Sequence, residues 1–144
     1  MSPLLTLLPA WQAAGMATFW VAFFALCIGH ALADFSLQGD FLSQTKNRHG
    51  DAGRFFPDHT PPPRGLWIHA LTAHALIHAG AVWLASASVT LAAAELVLHW
   101  LIDYAKCEGW TSFTADQLLH LACKAAYAAL LATGALSQWV AWPP

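Results

Sequence analysis

Charged residues are scarce in this chain and make up 10% of its 144 residues, against about 25% in an average soluble domain. Basic residues are not in excess, since six Lys and Arg stand against eight Asp and Glu and the formal net charge is -2. A surface that binds nucleic acid needs clustered positive charge to neutralise phosphates. We therefore expect no nucleic-acid partner.

Cysteine is rare as well, and so is positive charge near the N-terminus. Cys27, Cys107 and Cys123 are the three cysteines, too few and too unevenly spaced for a disulfide framework or a paired CxxC metal site. The first fifteen residues contain no Lys or Arg, so they lack the basic start of a secretory signal peptide. We expect residues 1–15 to form an uncleaved interfacial segment.

Hydrophobic residues, in contrast, make up 58% of the chain, above the value of about 45–50% for soluble domains. They fall in long blocks, and a block of about 20 apolar residues is long enough to cross a bilayer as a helix. We predict an all-α fold, an integral membrane four-helix bundle that forms a single transmembrane domain over residues 1–144. The predicted transmembrane helices lie near residues 16–35, 66–85, 89–105 and 114–136, and residues 36–65 form a long loop.

The basic residues predict the orientation of this bundle. Five of the six lie in the long loop or directly after the third helix: Lys46, Arg48, Arg54, Arg64 and Lys106. Because loops rich in Lys and Arg stay in the cytoplasm, we place both loops there. Both termini then lie on the outer, periplasmic side of the cytoplasmic (inner) membrane of a bacterium.

Each predicted helix carries ionisable residues spaced four apart, which places them on one helix face. They are His30 and Asp34 on the first helix, His74 and His78 on the second, Glu95, His99 and Asp103 on the third, and Asp116, His120 and Lys124 on the fourth. We also count Gln38 and Gln117 among the buried polar residues. Four polar faces in one bundle predict one shared site.

Counting residues from the cytoplasmic helix ends, at about 1.5 Å of rise each, predicts three layers in this site. Asp34, Asp103 and Asp116 form the layer nearest the cytoplasm, and His30, His74, His99 and His120 form the next. His78, Glu95 and Lys124 lie deepest, and we expect Glu95 and Lys124 to pair.

These groups could serve only to hold the helices together. However, an unpaired charge at mid-bilayer costs about 2.5–3.5 kcal/mol, whereas a hydrogen bond between membrane helices contributes only about 0.6 kcal/mol on average. A bundle that needed stability alone could use Leu and Ala instead. The pattern therefore favours a functional site.

Imidazoles and carboxylates on facing helices are the ligand set for zinc or non-haem iron. The candidate metal ligands are His30, His74, His78, His99, His120 and Asp116. If three imidazoles hold zinc and leave one position open, bound water ionises near neutral pH, and Asp34 or Asp103 can act as general base. This chemistry predicts a zinc-dependent hydrolase acting on a lipid or lipid-linked substrate from the cytoplasmic side.

Three other functions remain open at this point. A column of ionisable groups could also conduct a proton or a metal ion, although the polar residues stop near mid-bilayer unless a homo-oligomer supplies the rest. Redox chemistry on iron or haem is another alternative, in which His30 and His120 would be axial haem ligands. The protein could also be a non-enzymatic membrane partner.

Four helix motifs resemble those of the DUF3307 family, a group of bacterial and phage membrane proteins. The motifs are GHALADF at residues 29–35 with Gln38, HALIH at 74–78, HWLIDY at 99–104 with Lys106, and DQLLH at 116–120. The resemblance covers roughly residues 26–125. It implies a membrane topology and supports the choice of site residues, but it names no reaction.

Overall fold

The computed structural model describes residues 15–57 and 60–134, and all regular structure in these residues is helical. The helices are α1 (Met16–Ala31), α2 (Gly39–Thr45), α3 (Leu66–Ser86), α4 (Val89–Cys107) and α5 (Phe113–Ala132). A π-helical turn, Leu32–Ser36, continues α1, and a 3-10 turn, Ala52–Phe55, follows α2. The all-helical fold class is confirmed. The predicted interfacial segment lies outside the described residues, apart from Gly15.

The four long helices lie where helices were predicted, and the structure differs from the predicted boundaries at two places. The predicted loop 36–65 contains α2 and the 3-10 turn, so its description as a loop throughout was wrong. The last helix ends at Ala132 rather than near residue 136. It ends early because Gly134 adopts a left-handed backbone, with φ of 71°, which a continuing right-handed helix cannot contain.

Serine side chains fix the starts of α4 and α5. The Leu91 N–H donates to Ser88 Oγ at 3.2 Å, and the Ala115 N–H donates to Ser112 Oγ at 3.2 Å. Each bond satisfies one of the backbone donors that a helix N-terminus leaves without a partner. Between α3 and α4 only Ala87 and Ser88 intervene, so the chain reverses there in a tight turn.

The long helices pack in the cyclic order α1, α3, α4, α5, with each in contact with the next and α5 returning to α1. A hydrophobic cluster fills the interior near the α3–α4 turn: Ala22, Leu26, Val82, Leu91, Tyr127, Ala128 and Leu131. The other half of the interior, towards the loop between α1 and α3, is polar. The site therefore lies in one half of the helix assembly and is closed on one side by apolar packing.

Burial in this fold is inverted relative to a soluble protein. Among the described residues, fourteen polar or charged side chains are buried, against twelve hydrophobic ones. Large apolar side chains cover the outside instead; Leu84 is 83% exposed, and Phe24 and Phe35 are each 69% exposed. Exposed apolar side chains that form a large patch are rare on soluble monomeric proteins.

Two helical stretches, Met16–Ser36 and Leu66–Ser86, are long and apolar enough to cross a membrane. They correspond to the first two of the four predicted spans. The helices α4 and α5 are less hydrophobic on average, because they carry most of the charged side chains of the interior.

Candidate metal centre

Four side chains from three helices converge at the centre of the polar half. They are Asp34 from the π-helical turn, His74 and His78 from α3, and His99 from α4, and one candidate ligand atom from each lies within 4.8 Å of the others. Asp34 Oδ1 is 3.3 Å from His74 Nε2 and 3.6 Å from His78 Nε2. The three imidazoles are at most 1% exposed.

The imidazole nitrogens at this point lack hydrogen-bond partners. The Nε2 atoms of His74, His78 and His99 are inaccessible to solvent, and none has a partner with hydrogen-bond geometry. A buried polar atom without a partner costs about 1–3 kcal/mol, so three of them in one place need a physical reason. Neutral imidazole nitrogens facing a shared carboxylate are a donor set that a divalent cation satisfies.

A second group adjoins the first and consists of His99, Asp103 and His120. Asp103 Oδ1 is 3.3 Å from His120 Nε2, while Asp103 Oδ2 is 3.3 Å from His74 Nε2 and 3.8 Å from His99 Nε2. The two oxygens of Asp103 therefore face different imidazoles. Asp103 joins the two groups.

A buried ion pair contacts His99 at Nδ1, the ring nitrogen that lies away from the cluster. His99 Nδ1 lies 3.2 Å from Glu95 Oε1, and Lys124 Nζ donates to the same oxygen at 2.5 Å. This confirms the expected pairing of Glu95 with Lys124. If Nδ1 carries the proton and donates it to Glu95, Nε2 is left with a free lone pair directed at the cluster, as in carboxylate–histidine–metal arrangements.

Gln117 connects the remaining polar groups of α1 and α5. Its Nε2 donates to Asp34 Oδ2 at 2.8 Å and to Asp116 Oδ2 at 3.2 Å, and its Oε1 is 3.3 Å from His30 Nε2. His30 therefore lies beside the two groups rather than within them. The prediction that Gln38 and Gln117 are buried was wrong, since both are partly exposed.

The three predicted layers do not exist as separate levels. His78, expected deepest, stacks on His99 with ring centroids 3.6 Å apart and also contacts Asp34, expected shallowest. Helical side chains lean towards their own N-terminus. Because α1 and α3 run in opposite directions, Asp34 leans away from the long loop and His78 leans towards it, so the two side chains meet.

A π-helical turn adds to this convergence. The Leu37 N–H donates to Leu32 O at 2.9 Å, a bond across five residues that widens the helix at Asp34. Such turns occur frequently at functional sites. Nothing in residues 32–36 distinguishes them in the sequence from an ordinary helix end.

The sequence matches, over residues 22–142, the family model described as a protein of unknown function (DUF3307). The chain belongs to the DUF3307 family. No curated protein and no solved structure matches it. Every residue of the two His/Asp groups lies within the part of the chain that matches the DUF3307 model. The description of this family assigns no activity to these residues.

Sequence reasoning missed one residue of this DUF3307 site, the buried Lys46. Its Nζ donates to Asp103 Oδ2 at 2.6 Å and to Gln38 Oε1 at 2.8 Å, and the residue is only 5% exposed. Among the basic residues of the long loop nothing singled it out, because α2, which ends directly before it, was not predicted. Lys46 covers the cluster from the loop side.

A second lysine of the DUF3307 chain lies at the same end of the site. Lys106 Nζ is 3.1 Å from Asp116 Oδ2. Partial burial lowers the pKa of Lys106, but the neighbouring Asp116 carboxylate outweighs this effect, and the pKa lies above its ordinary value. Lys106 therefore stays charged at neutral pH and holds one oxygen of Asp116.

Proposed function

We propose that this protein is an integral membrane four-helix bundle that binds a divalent cation, with zinc favoured by the ligand types, and hydrolyses a lipid or lipid-linked substrate from the cytoplasmic side. One observation carries the proposal. Three buried imidazole Nε2 atoms without hydrogen-bond partners, those of His74, His78 and His99, meet beside the Asp34 carboxylate.

The membrane part of the proposal is supported by the inverted burial. Ionisable side chains fill one half of the interior, whereas large apolar side chains such as Leu84, Phe24 and Val97 face outwards. Lipid solvates that apolar surface, and water does not. The charged residues that make α4 and α5 less hydrophobic lie largely on their buried faces, as expected for membrane helices with an internal polar site.

The proposed orientation is supported by the position of the basic residues. Arg48 of the long loop pairs with Glu108 of the α4–α5 connection, so both segments lie at the same end of the molecule. Five of the six basic residues belong to this end, which favours a cytoplasmic location for it. The metal centre lies nearer this end, where Lys46 covers it, and the hydrophobic cluster fills the interior on its other side.

The net charge of the ionisable side chains at the site supports cation binding. Four carboxylates, Asp34, Glu95, Asp103 and Asp116, lie in the interior or at its edge with three ammonium groups, those of the buried Lys46 and Lys124 and the partly exposed Lys106. With neutral imidazoles the set carries one net negative charge. A divalent cation offsets that charge in a region where uncompensated charge is costly.

The arrangement of the carboxylates supports hydrolysis. Zinc held by three imidazoles supplies a Lewis acid and lowers the pKa of water at its open position. Asp34 Oδ1 and Asp103 Oδ2 each lie 3.3 Å from His74 Nε2, so either oxygen would stand next to such a position as proton acceptor. Gln117, by donating to Asp34 Oδ2, orients that carboxylate.

A path across the membrane is less well supported. The hydrophobic cluster that includes Leu26, Val82 and Leu131 fills the interior beyond His78 and Lys124. Protons and metal ions need polar groups or water along their whole path. A polar cluster that ends at apolar packing suits binding and catalysis better than transport.

Metal content tests the binding part of the proposal. The full-length protein, purified in detergent without chelators and then supplied with zinc, is analysed by elemental mass spectrometry beside His74→Ala. The matched control is His69→Ala, since His69 lies on the same helix but is exposed. We expect at least one zinc per chain in the wild type and the control, and at least one zinc fewer per chain in His74→Ala. Wild type without stoichiometric metal contradicts the proposal.

Turnover tests the hydrolase part. The probes are a fluorescently labelled phospholipid and a fluorescent N-acyl-sphingosine in detergent micelles. We expect zinc-dependent cleavage of one of them, lost in Asp34→Asn although three imidazole ligands remain. If the zinc-loaded wild type cleaves neither probe faster than Asp34→Asn does, the hydrolase assignment is contradicted. That result would not affect the proposed metal binding.

A further inference from the structure

We infer that the cluster holds a second divalent cation, bound by Asp103, Asp116 and His120, with Asp103 bridging it to the first. The inference rests on the proposed metal centre and extends it. It assigns a role to His120 and Asp116, which a mononuclear site at His74, His78 and His99 leaves unused.

The Asp103 carboxylate has the geometry of a bridge. Its Oδ2 faces the first group, 3.3 Å from His74 Nε2, and its Oδ1 faces the second, 3.3 Å from His120 Nε2. A carboxylate that offers one oxygen to each of two cations holds them close together, and hydrolytic two-metal sites have spacings of about 3.5–4 Å. The stacked rings of His99 and His120, with centroids 4.1 Å apart, bring the two donor sets to adjacent positions.

Asp116 supplies an independent observation. Asp116 is 0% exposed. Its Oδ1 has no hydrogen-bond partner, although this atom lies 3.5 Å from His120 Nε2. Its other oxygen is occupied by Lys106 at 3.1 Å and Gln117 at 3.2 Å. The carboxylate is therefore held by one oxygen and directs the other at His120, as a metal ligand would be.

His99 belongs to the first position rather than to the second. It is a member of both groups by distance, but its Nδ1 is engaged with Glu95, so a single nitrogen remains for one cation. That leaves His120, Asp103 and Asp116 as the protein ligands of the second position. Three ligands with further positions open suit a catalytic site.

Lys46 is compatible with this arrangement. Its ammonium donates to Asp103 Oδ2, and a carboxylate oxygen has a second lone pair with which it can bind a cation. Two divalent cations would make the cluster net positive. An anionic substrate group entering past Lys46 would offset that charge, which narrows the substrate class to molecules such as phosphate esters. Asp34 then remains the candidate proton acceptor, since Asp103 serves as the bridge.

Manganese tests the inference, because two adjacent Mn²⁺ ions couple magnetically. The full-length protein in detergent is loaded with Mn²⁺ and its bound metal is counted, beside Asp116→Asn and the matched control Asp40→Asn, in which an exposed carboxylate (65%) is changed. We expect about two Mn²⁺ per chain in the wild type and the control, with the electron paramagnetic resonance spectrum of a coupled pair. Asp116→Asn should bind one Mn²⁺ and give an uncoupled spectrum.

The outcomes separate this inference from the proposed function. One Mn²⁺ per chain with an uncoupled spectrum in the wild type overturns the second site and leaves the first. No bound metal overturns both. The wild-type spectrum decides the question even if Asp116→Asn does not fold, and folding of each variant is checked by circular dichroism and by elution as a single species in gel filtration.

Discussion

The buried ion pair between Lys124 and Glu95 gives the sharpest prediction about stability. The two charged atoms are 2.5 Å apart and each side chain is 1% exposed, so neither charge can turn to water when its partner is removed. Removing one member of a buried pair costs about 3–5 kcal/mol, because the remaining charge stays buried without compensation. We therefore expect Lys124→Met to lower the free energy of unfolding by about 3–5 kcal/mol.

The double variant Lys124→Met with Glu95→Gln should recover most of this loss. It removes both charges, and replacing a whole buried pair with neutral residues is often close to neutral in stability. Unfolding of the purified protein in mixed detergent micelles, followed by circular dichroism, gives the four free energies of the cycle. The matched control is Arg54→Met, which breaks an exposed pair with Asp40 and should cost under about 1 kcal/mol.

Two results would refute this reasoning. A cost for Lys124→Met as small as that of Arg54→Met would mean that water or a rearranged side chain reaches Glu95. Additive effects in the double variant would mean that Lys124 and Glu95 do not interact energetically.

Glu95→Gln alone should also weaken metal binding about 10- to 100-fold, the usual effect of losing a carboxylate that orients a ligand histidine, here His99.

Two further predictions concern helix contact and loop closure. A Cβ at Gly29 would lie 3.2 Å from the Ala81 side chain, whereas one at Gly80 meets nothing within 4 Å. Gly80→Ala should therefore raise the unfolding free energy by up to about 1 kcal/mol, and Gly29→Ala should raise it less or lower it. Equal increases in thermal stability for the two variants would contradict the close approach of α1 and α3 at Gly29. Lys46→Met removes the ammonium that donates to Asp103 and should cost about 1.5–3 kcal/mol without metal. The cost should shrink in saturating zinc, because the cation takes over the compensation, and a cost independent of zinc would argue against metal at Asp103.

Much of the fold followed from the sequence because two strong patterns coincide. Long apolar blocks predicted the long helices, and the tight α3–α4 turn followed from the shortness of the segment between two of them. Spacing of four residues predicted that pairs such as His74 and His78 share a face, and four such faces could bury their polar groups only against one another. The convergence of these side chains is therefore a consequence of the pattern.

The finer arrangement depended on effects that spacing does not contain. Depth along a helix was counted from backbone rise, yet side chains lean towards the N-terminus of their helix, so Asp34 and His78 meet from different backbone levels. The π-helical turn at Leu32–Ser36 has no distinctive composition. Lys46 reaches Asp103 only because α2 folds back over the site, a tertiary effect outside the reach of local sequence patterns.

X-ray absorption at the zinc edge tests the central claim most directly, because it reports the atoms bound to the metal. The zinc-loaded full-length protein in detergent should show nitrogen or oxygen neighbours at about 2.0–2.1 Å, with the multiple scattering of several imidazole rings. That result is expected for a centre built from His74, His78 and His99. A sulfur shell at about 2.3 Å, or neighbours without imidazole scattering, would place the metal elsewhere and contradict the account.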